Sequence, residues 1–197
     1  MPAISLYDCH GRRKYLTNKE RKAFAMAALR SAPHIQTFCL TLIYTGVRVS
    51  EALALTPERI DRENSVIIFE TLKRRKRGVF RAIPVPKEFV ERLARVHRFS
   101  TASYPELSVP LWTWSRTTAW KYVRAVMEAA DVPSWLASPK AARHAFAVDA
   151  IRVGVALNLV QRWMGHARIE TTSIYADVTG DEERTIAERM WGELQHL

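Results

Sequence analysis

Cysteine is scarce in this 197-residue chain, which has two, Cys9 and Cys39, and neither stands at disulfide or metal-ligand spacing. A disulfide-stapled scaffold and a cysteine-based zinc module are thereby excluded. Cys39 lies in the apolar run Phe38-Cys39-Leu40-Thr41-Leu42-Ile43, and both thiols read as reduced. Long apolar runs are missing too, since no stretch approaches the ~18 residues of a membrane span. The N-terminus carries Asp8, His10, Arg12 and Arg13 in place of a signal peptide's apolar segment. The expectation is a soluble, cytoplasmic protein with no membrane partner. Acidic residues are the minority charge, 20 against 30 Lys and Arg, and the net charge of +10 favours a polyanionic partner. Nucleic acid is the simplest one. There is no internal repeat, no P-loop and no metal-ligand pattern, so no cofactor and no metal are expected. What the chain does have is hydrophobic mass, 48% of its residues, enough for a single packed core.

Helical signals dominate the pattern. Thr17-Asn18-Lys19-Glu20 is a capping box ahead of the Ala-rich amphipathic stretch from Arg21 to Arg30. Residues Ile35 to Tyr44 are apolar nearly all round, as in a core helix, with Gly46 placed to end it. A short helix is expected within Val47 to Leu55, with Ser50 as its cap, Arg48 at its mouth and Pro57 closing it. The pattern then turns β-branched at Val66-Ile67-Ile68-Phe69 and again from Val79 to Val85, across a basic turn, which predicts a β-hairpin with a charged tip. Further helices are expected over Pro86 to Arg98, Ser115 to Ala130, Pro139 to Val153, Ala156 to Met164 and about Asp181 to Gln195, with Phe99 to Trp114 as a loop. The fold class is α+β, mainly α-helical with a small antiparallel sheet or hairpin.

Tyr175 follows His166 by nine residues, and Arg143-His144 stands upstream. A phenolate can attack a phosphodiester while Arg and His donors hold the charge that builds on the phosphate oxygens. Those residue types point to phosphoryl transfer on DNA. Four boxes carry a more specific signal: Thr45-Gly46-Val47-Arg48-Val49-Ser50-Glu51, Arg143-His144, Met164-Gly165-His166 and Thr171-Thr172-Ser173-Ile174-Tyr175. In this order and spacing, over roughly residues 15 to 190, the chain resembles the tyrosine recombinase (phage integrase) family.

The resemblance implies that Arg48 and Arg143 grip the non-bridging oxygens of the scissile phosphate, a task suited to a planar fork of donors. It implies that His166 bonds a phosphate oxygen, that Tyr175 is the nucleophile and that Glu51 orients its neighbours. It also implies a lysine on the hairpin that protonates the leaving 5′ oxygen. Counting back from Ile83-Pro84 points to Lys76, with Lys73 as the alternative. Lys73, Arg74, Arg75, Arg77 and Arg81 read as DNA-binding cations of the same hairpin.

Two departures stand out. Where the family usually shows His-x-x-Arg, this chain has Lys140-Ala141-Ala142-Arg143, so Lys140 can donate to phosphate but cannot accept a proton while charged. The family also places a helical domain of about 100 residues, enough for a domain of its own, before the catalytic domain. Here residues 1 to 16 read as an N-terminal extension and 17 to 197 as the catalytic domain, which makes the chain either a fragment or a minimal member. The implied activity is metal- and ATP-independent site-specific strand transfer on double-stranded DNA through a 3′-phosphotyrosyl bond. The implied assembly is a tetramer on two DNA sites. The stripe Ile186, Ala187, Met190, Trp191 and Leu194 would either pack on a neighbouring copy or fold back on its own core. Two other readings use the same residues, a type IB topoisomerase-like enzyme and a non-catalytic DNA-binding regulator.

Overall fold

Thr17 opens the first helix through the reciprocal bonds that its capping box foretells. In the computed structural model, which describes residues 5–72, 78–99 and 107–176 together with Glu188 and Trp191, Thr17 Oγ1 accepts from the Glu20 backbone N–H at 3.3 Å. The Glu20 carboxylate accepts from the Thr17 N–H at 2.8 Å, and α1 runs over Asn18–Leu29. The apolar run forms α2, Pro33–Thr45, which is buried along most of its length. Gly46 ends α2 at φ 61°, and a Cβ there would lie 2.4 Å from Phe146 Cδ1. Only glycine fits that position.

The next helix starts two residues earlier than expected. Arg48, not Ser50, is the N-cap of α3, Val49–Leu53, because the Glu51 carboxylate accepts from the Arg48 backbone N–H at 3.0 Å and Ser50 falls inside the first turn. A short 3-10 helix, Pro57–Arg59, leads into the sheet. Its strands are β1, Ile60–Asp61, β2, Val66–Glu70, and β3, Phe80–Pro84, paired antiparallel in that order with Ile67 opposite both Ile60 and Ile83. The hairpin is as expected; β1 is an addition, and two residues are too few to show a period. Residues 73–77, the charged tip with Lys73, Arg74, Arg75, Lys76 and Arg77, lie outside the described residues.

The helices bounded among the described residues after the sheet are α4 Lys87–His97, α5 Arg116–Glu128, α6 Pro139–Arg152, α7 Leu157–Met164 and α8 Glu170–Ser173. Ser115 and Ser138 cap α5 and α6 by accepting from Thr118 and Ala141 N–H. Helix α8 is a single turn that sequence period could not register. Helix α6 joins two apolar clusters. Its Ala141, Ala142 and Ala145 belong to the larger one, built with α1, α2, α4, α5 and the sheet. Its Phe146, Ala147, Val148 and Ala150 belong to a smaller one with Leu6, Val160, Met164, Ile174 and Tyr175. The alanines keep α6 thin enough for α1, α2, α5 and α7 all to pack against it. The described part of the expected loop is anchored by Trp112, whose Nε1 donates to the His34 carbonyl at 3.0 Å and whose ring meets Phe38 edge-on. Apart from Glu188 and Trp191, the expected C-terminal helix lies outside the described residues. Among those residues no helix is long and apolar enough to cross a membrane. The class is the expected one, mainly α-helical with one small antiparallel sheet.

Candidate active site

The site forms where helices end. Arg143 projects from α6 into the gap between the C-termini of α2 and α7, where one guanidinium nitrogen donates to the Gly46 carbonyl at 2.6 Å and the other to the Met164 carbonyl at 2.5 Å. Terminal helix carbonyls carry partial negative charge, so both ends attract the cation and fix its plane. Burial, then the nearby Arg48 charge, draws the Arg143 pKa down to about 9, which leaves it a cation at neutral pH.

His166 follows Gly165, the left-handed C-cap of α7. Its Nε2 lies 3.2 Å from an Arg143 nitrogen, and its Nδ1 lies 2.9 Å from Thr172 Oγ1. An Arg can only donate, so Nε2 accepts and the ring proton sits on Nδ1, facing Thr172. Burial and the Arg143 and Arg48 charges hold the His166 pKa down at about 3. The imidazole is neutral in the resting protein. Beside it a cleft of about 310 Å³ opens between the hairpin and α7, with Thr71, Phe80, Gln161 and Arg162 in its walls.

Arg48 reaches the same region from the start of α3, with its side chain 26% exposed and bonded to Glu51 Oε1 at 2.8 Å. Glu51 is 2% exposed, and its other oxygen accepts from Arg81 at 2.6 Å. Burial alone would push the Glu51 carboxyl up, but Arg81, the Arg48 backbone N–H and the Arg48 charge together bring it below the usual value. Glu51 thus lies between the Arg48 and Arg81 guanidinium groups.

Arg81 requires a correction. The sequence groups it with the DNA-contacting cations of the hairpin, yet it is 5% exposed and turned inward. Its three guanidinium nitrogens donate to Glu51, to Thr71 Oγ1 at 2.8 Å and to the Trp163 carbonyl at 2.8 Å. Strand alternation is the cause: Arg81 precedes the buried Ile83 by two residues and pairs with the buried Phe69. That periodicity was the available signal.

Tyr175 comes from the residues after α8 and is 2% exposed. Its hydroxyl lies 2.8 Å from His144 Nδ1, and its ring is parallel to that of His166 at 6.3 Å between centroids. Burial pushes the phenol up to about 12, against the pull of the Arg143 and Arg48 charges. The structure therefore brings Arg48, Glu51, Arg143, His166 and Tyr175 together from four separate segments. Lys140 is exposed in the first turn of α6, and its charge acts on His144. Lys73 and Lys76 lie outside the described residues. Thr172, inside the box that ends at Tyr175, and Arg81 also take part, through His166 and Glu51. Among the described residues no group of three His, Cys, Asp or Glu is placed to hold a metal ion.

Comparison with known proteins gives a consistent result. The profile of the phage integrase family matches residues 14–182. Tyrosine recombinase XerA of Pyrococcus furiosus is 28% identical over 181 residues, covering 89% of this chain and 61% of the relative. Tyrosine recombinase XerD of Mycobacterium tuberculosis is 32% identical over 152 residues, covering 71% of this chain and 47% of the relative. A crystal structure of XerA recombinase superimposes with a TM-score of 0.73 at 25% identity, covering 89% of this chain and 64% of that one. The chain thus spans roughly half to two thirds of the length of these proteins.

Proposed function

The chain belongs to the phage integrase family, and on that premise we propose that it is a DNA strand-transferase for site-specific recombination or integration. Tyr175 attacks a scissile phosphate of double-stranded DNA, forms a 3′-phosphotyrosyl bond, frees a 5′ hydroxyl and lets a partner strand reverse the step. The reading rests on one observation, the convergence of Arg48, Arg143 and His166 around Tyr175, two guanidinium donors and an imidazole beside one nucleophile. Preorganised donors of this kind stabilise the charge that develops on a phosphate in flight. The covalent bond conserves the energy of the phosphodiester, so the reaction runs without ATP, and the guanidinium cations take the electrostatic part that a metal plays elsewhere. The +10 charge suits a phosphate backbone as partner.

The leaving 5′ oxygen needs a proton, and we assign it to Lys76 with Lys73 as the alternative, because an Arg does not readily give one up. Lys140 donates to phosphate from the position where the family usually has histidine. Residues 17–197 act as the catalytic domain, the protein works in the cytoplasm where its DNA lies, and residues 181–197 mediate a tetramer on two sites.

The test is incubation with nicked suicide duplexes of randomised sequence, followed by a denaturing gel. The expected result is a protein–DNA adduct whose peptide map places the DNA on Tyr175. An adduct on another residue, or none from the whole sequence pool, would overturn the reading.

A further inference from the structure

The site so far contains a nucleophile that must lose a proton and no assigned group to take it. Arg48 and Arg143 carry donors only, as does a lysine ammonium such as that of Lys140. His166 has both ring nitrogens engaged, with Arg143 and Thr172. The Tyr175 hydroxyl meets another side chain, that of His144, at 2.8 Å through Nδ1.

His144 does not look like a packing histidine. It is more than nine-tenths buried in α6, and its Nε2 has no hydrogen-bond partner among the described residues. A histidine kept for structure normally employs both nitrogens, because an orphaned buried group is costly. Here the hydrogen bond found for this imidazole goes to the atom that reacts. The charged and titratable groups that act on it are Lys140 and Arg143 from α6, Lys14 from the segment ahead of α1, and His166 and Tyr175. Burial and those cations hold His144 near 4, so it is neutral in the resting protein, and Nδ1 can accept the phenolic hydrogen bond.

We propose that His144 is the proton acceptor for Tyr175, a catalytic residue that serves in this chain where Lys140 stands in place of an acceptor; the proposal rests on the strand-transferase reading above. As Tyr175 Oη bonds to phosphorus, its O–H bond breaks and the proton passes to His144 Nδ1. The P–O5′ bond breaks in the same displacement, and the 5′ oxygen takes its proton from the separate hairpin donor. In rejoining, the proton returns from His144 to the phenol. Without DNA the transfer is strongly uphill, because the phenol sits near 12 and the imidazole near 4. An incoming phosphate changes both values in the required direction, since its negative charge favours the imidazolium and bonding to phosphorus makes the phenol far more acidic. The pair therefore holds the nucleophile protonated until substrate arrives.

The experiment compares single-turnover cleavage by the full chain, His144→Asn and His144→Ala on a suicide duplex captured by the unsubstituted protein, across pH 4 to 9. Asn keeps an acceptor near the Nδ1 position but cannot take a proton. The expected result is that His144→Asn binds the duplex normally but cleaves about 10²-fold or more slowly. It should also lose the limb on which the unsubstituted rate rises with pH. Added imidazole should restore part of the rate to His144→Ala. Circular dichroism establishes that each variant is folded, and if His144→Ala is not, the Asn rate and pH profile carry the test. Undiminished cleavage by His144→Asn overturns the proposal while leaving the strand-transferase reading intact. A slower variant with an unchanged pH profile makes His144 structural and also overturns it. If the unsubstituted chain captures no duplex through Tyr175, both readings fall together.

Discussion

Two corners of the same site are built on opposite principles. The corner at α3 and β3 is charged and saturated: Glu51 is buried between Arg48 and Arg81, and Arg81 is held at all three nitrogens. The corner at α6 and α8 is neutral and sparsely bonded: His144 and Tyr175 share one hydrogen bond, and Tyr175 belongs to an apolar cluster with Phe146, Ala147 and Ile174. Charge meant to meet a phosphate can be fixed in advance, since an electrostatic cradle gains from not having to reorganise. A proton meant to move cannot be fixed that way. It has to rest in an environment that disfavours both ionised forms until the substrate supplies the missing charge.

The most severe break in this contrast is Tyr175→Phe. It should abolish the covalent adduct on a denaturing gel while duplex affinity in a gel-shift assay stays close to that of the unsubstituted chain, because the ring keeps its packing. Residual adduct would move the nucleophile elsewhere.

On the charged side, Arg81→Met leaves Glu51 buried with one guanidinium where it had two. Urea titration should show a loss of roughly 3–5 kcal/mol, the usual result of removing one partner from a buried pair. A loss below about 1 kcal/mol would mean that Arg81 is not the anchor of the corner. For Arg143→Lys, a single ammonium cannot span the Gly46 and Met164 carbonyls that hold the guanidinium plane. Cleavage measured in a single turnover should slow by about 10²-fold or more, with the fold retained.

A pH titration separates the corners further. His144 and His166 are depressed from 6.5 to about 4 and about 3, so the unfolded chain binds more protons as pH falls below 6.5. Their contribution is therefore intact above 6.5 and is lost progressively as pH falls towards 3. Glu51 is likewise depressed, but it begins to contribute loss only below its ordinary 4.5. Melting temperature should thus fall already between pH 6.5 and 4.5, and the double variant His144→Asn, His166→Asn should shrink that fall to the part contributed by His97, which burial likewise draws down to about 4, while leaving the steeper loss below it. The smallest effect is expected at Ser138→Ala, which removes the cap of α6 and should cost about 1 kcal/mol in urea titration without altering cleavage chemistry.

Much of this was legible before folding. The capping box at Thr17, the stop at Gly46, the hairpin and the extent of α4 to α7 follow from interactions within a few residues, and such interactions depend on local sequence. The boxes around Arg48, Arg143, His166 and Tyr175 carried the family, and they named residues that the fold brings near one another. The inward face of Arg81 was also present, as a period of two counted from Ile83, but a cluster of cations nearby drew the residue to the wrong surface. Helix α8 and β1 were not legible, because one turn and two residues are too short to show periodicity against their surroundings.

What the chain alone determined, then, is where helices begin and end and which residue types stand ready for phosphate chemistry. What only the tertiary structure decided is which of them meet. Glu51 and Arg81 are 30 residues apart, and His144 and Tyr175 are 31 apart. No local rule couples such positions. Their pairing follows from how α6 packs between two apolar clusters and how α7 and α8 fold back over it, and burial there neutralises one pair while it locks the other as ions.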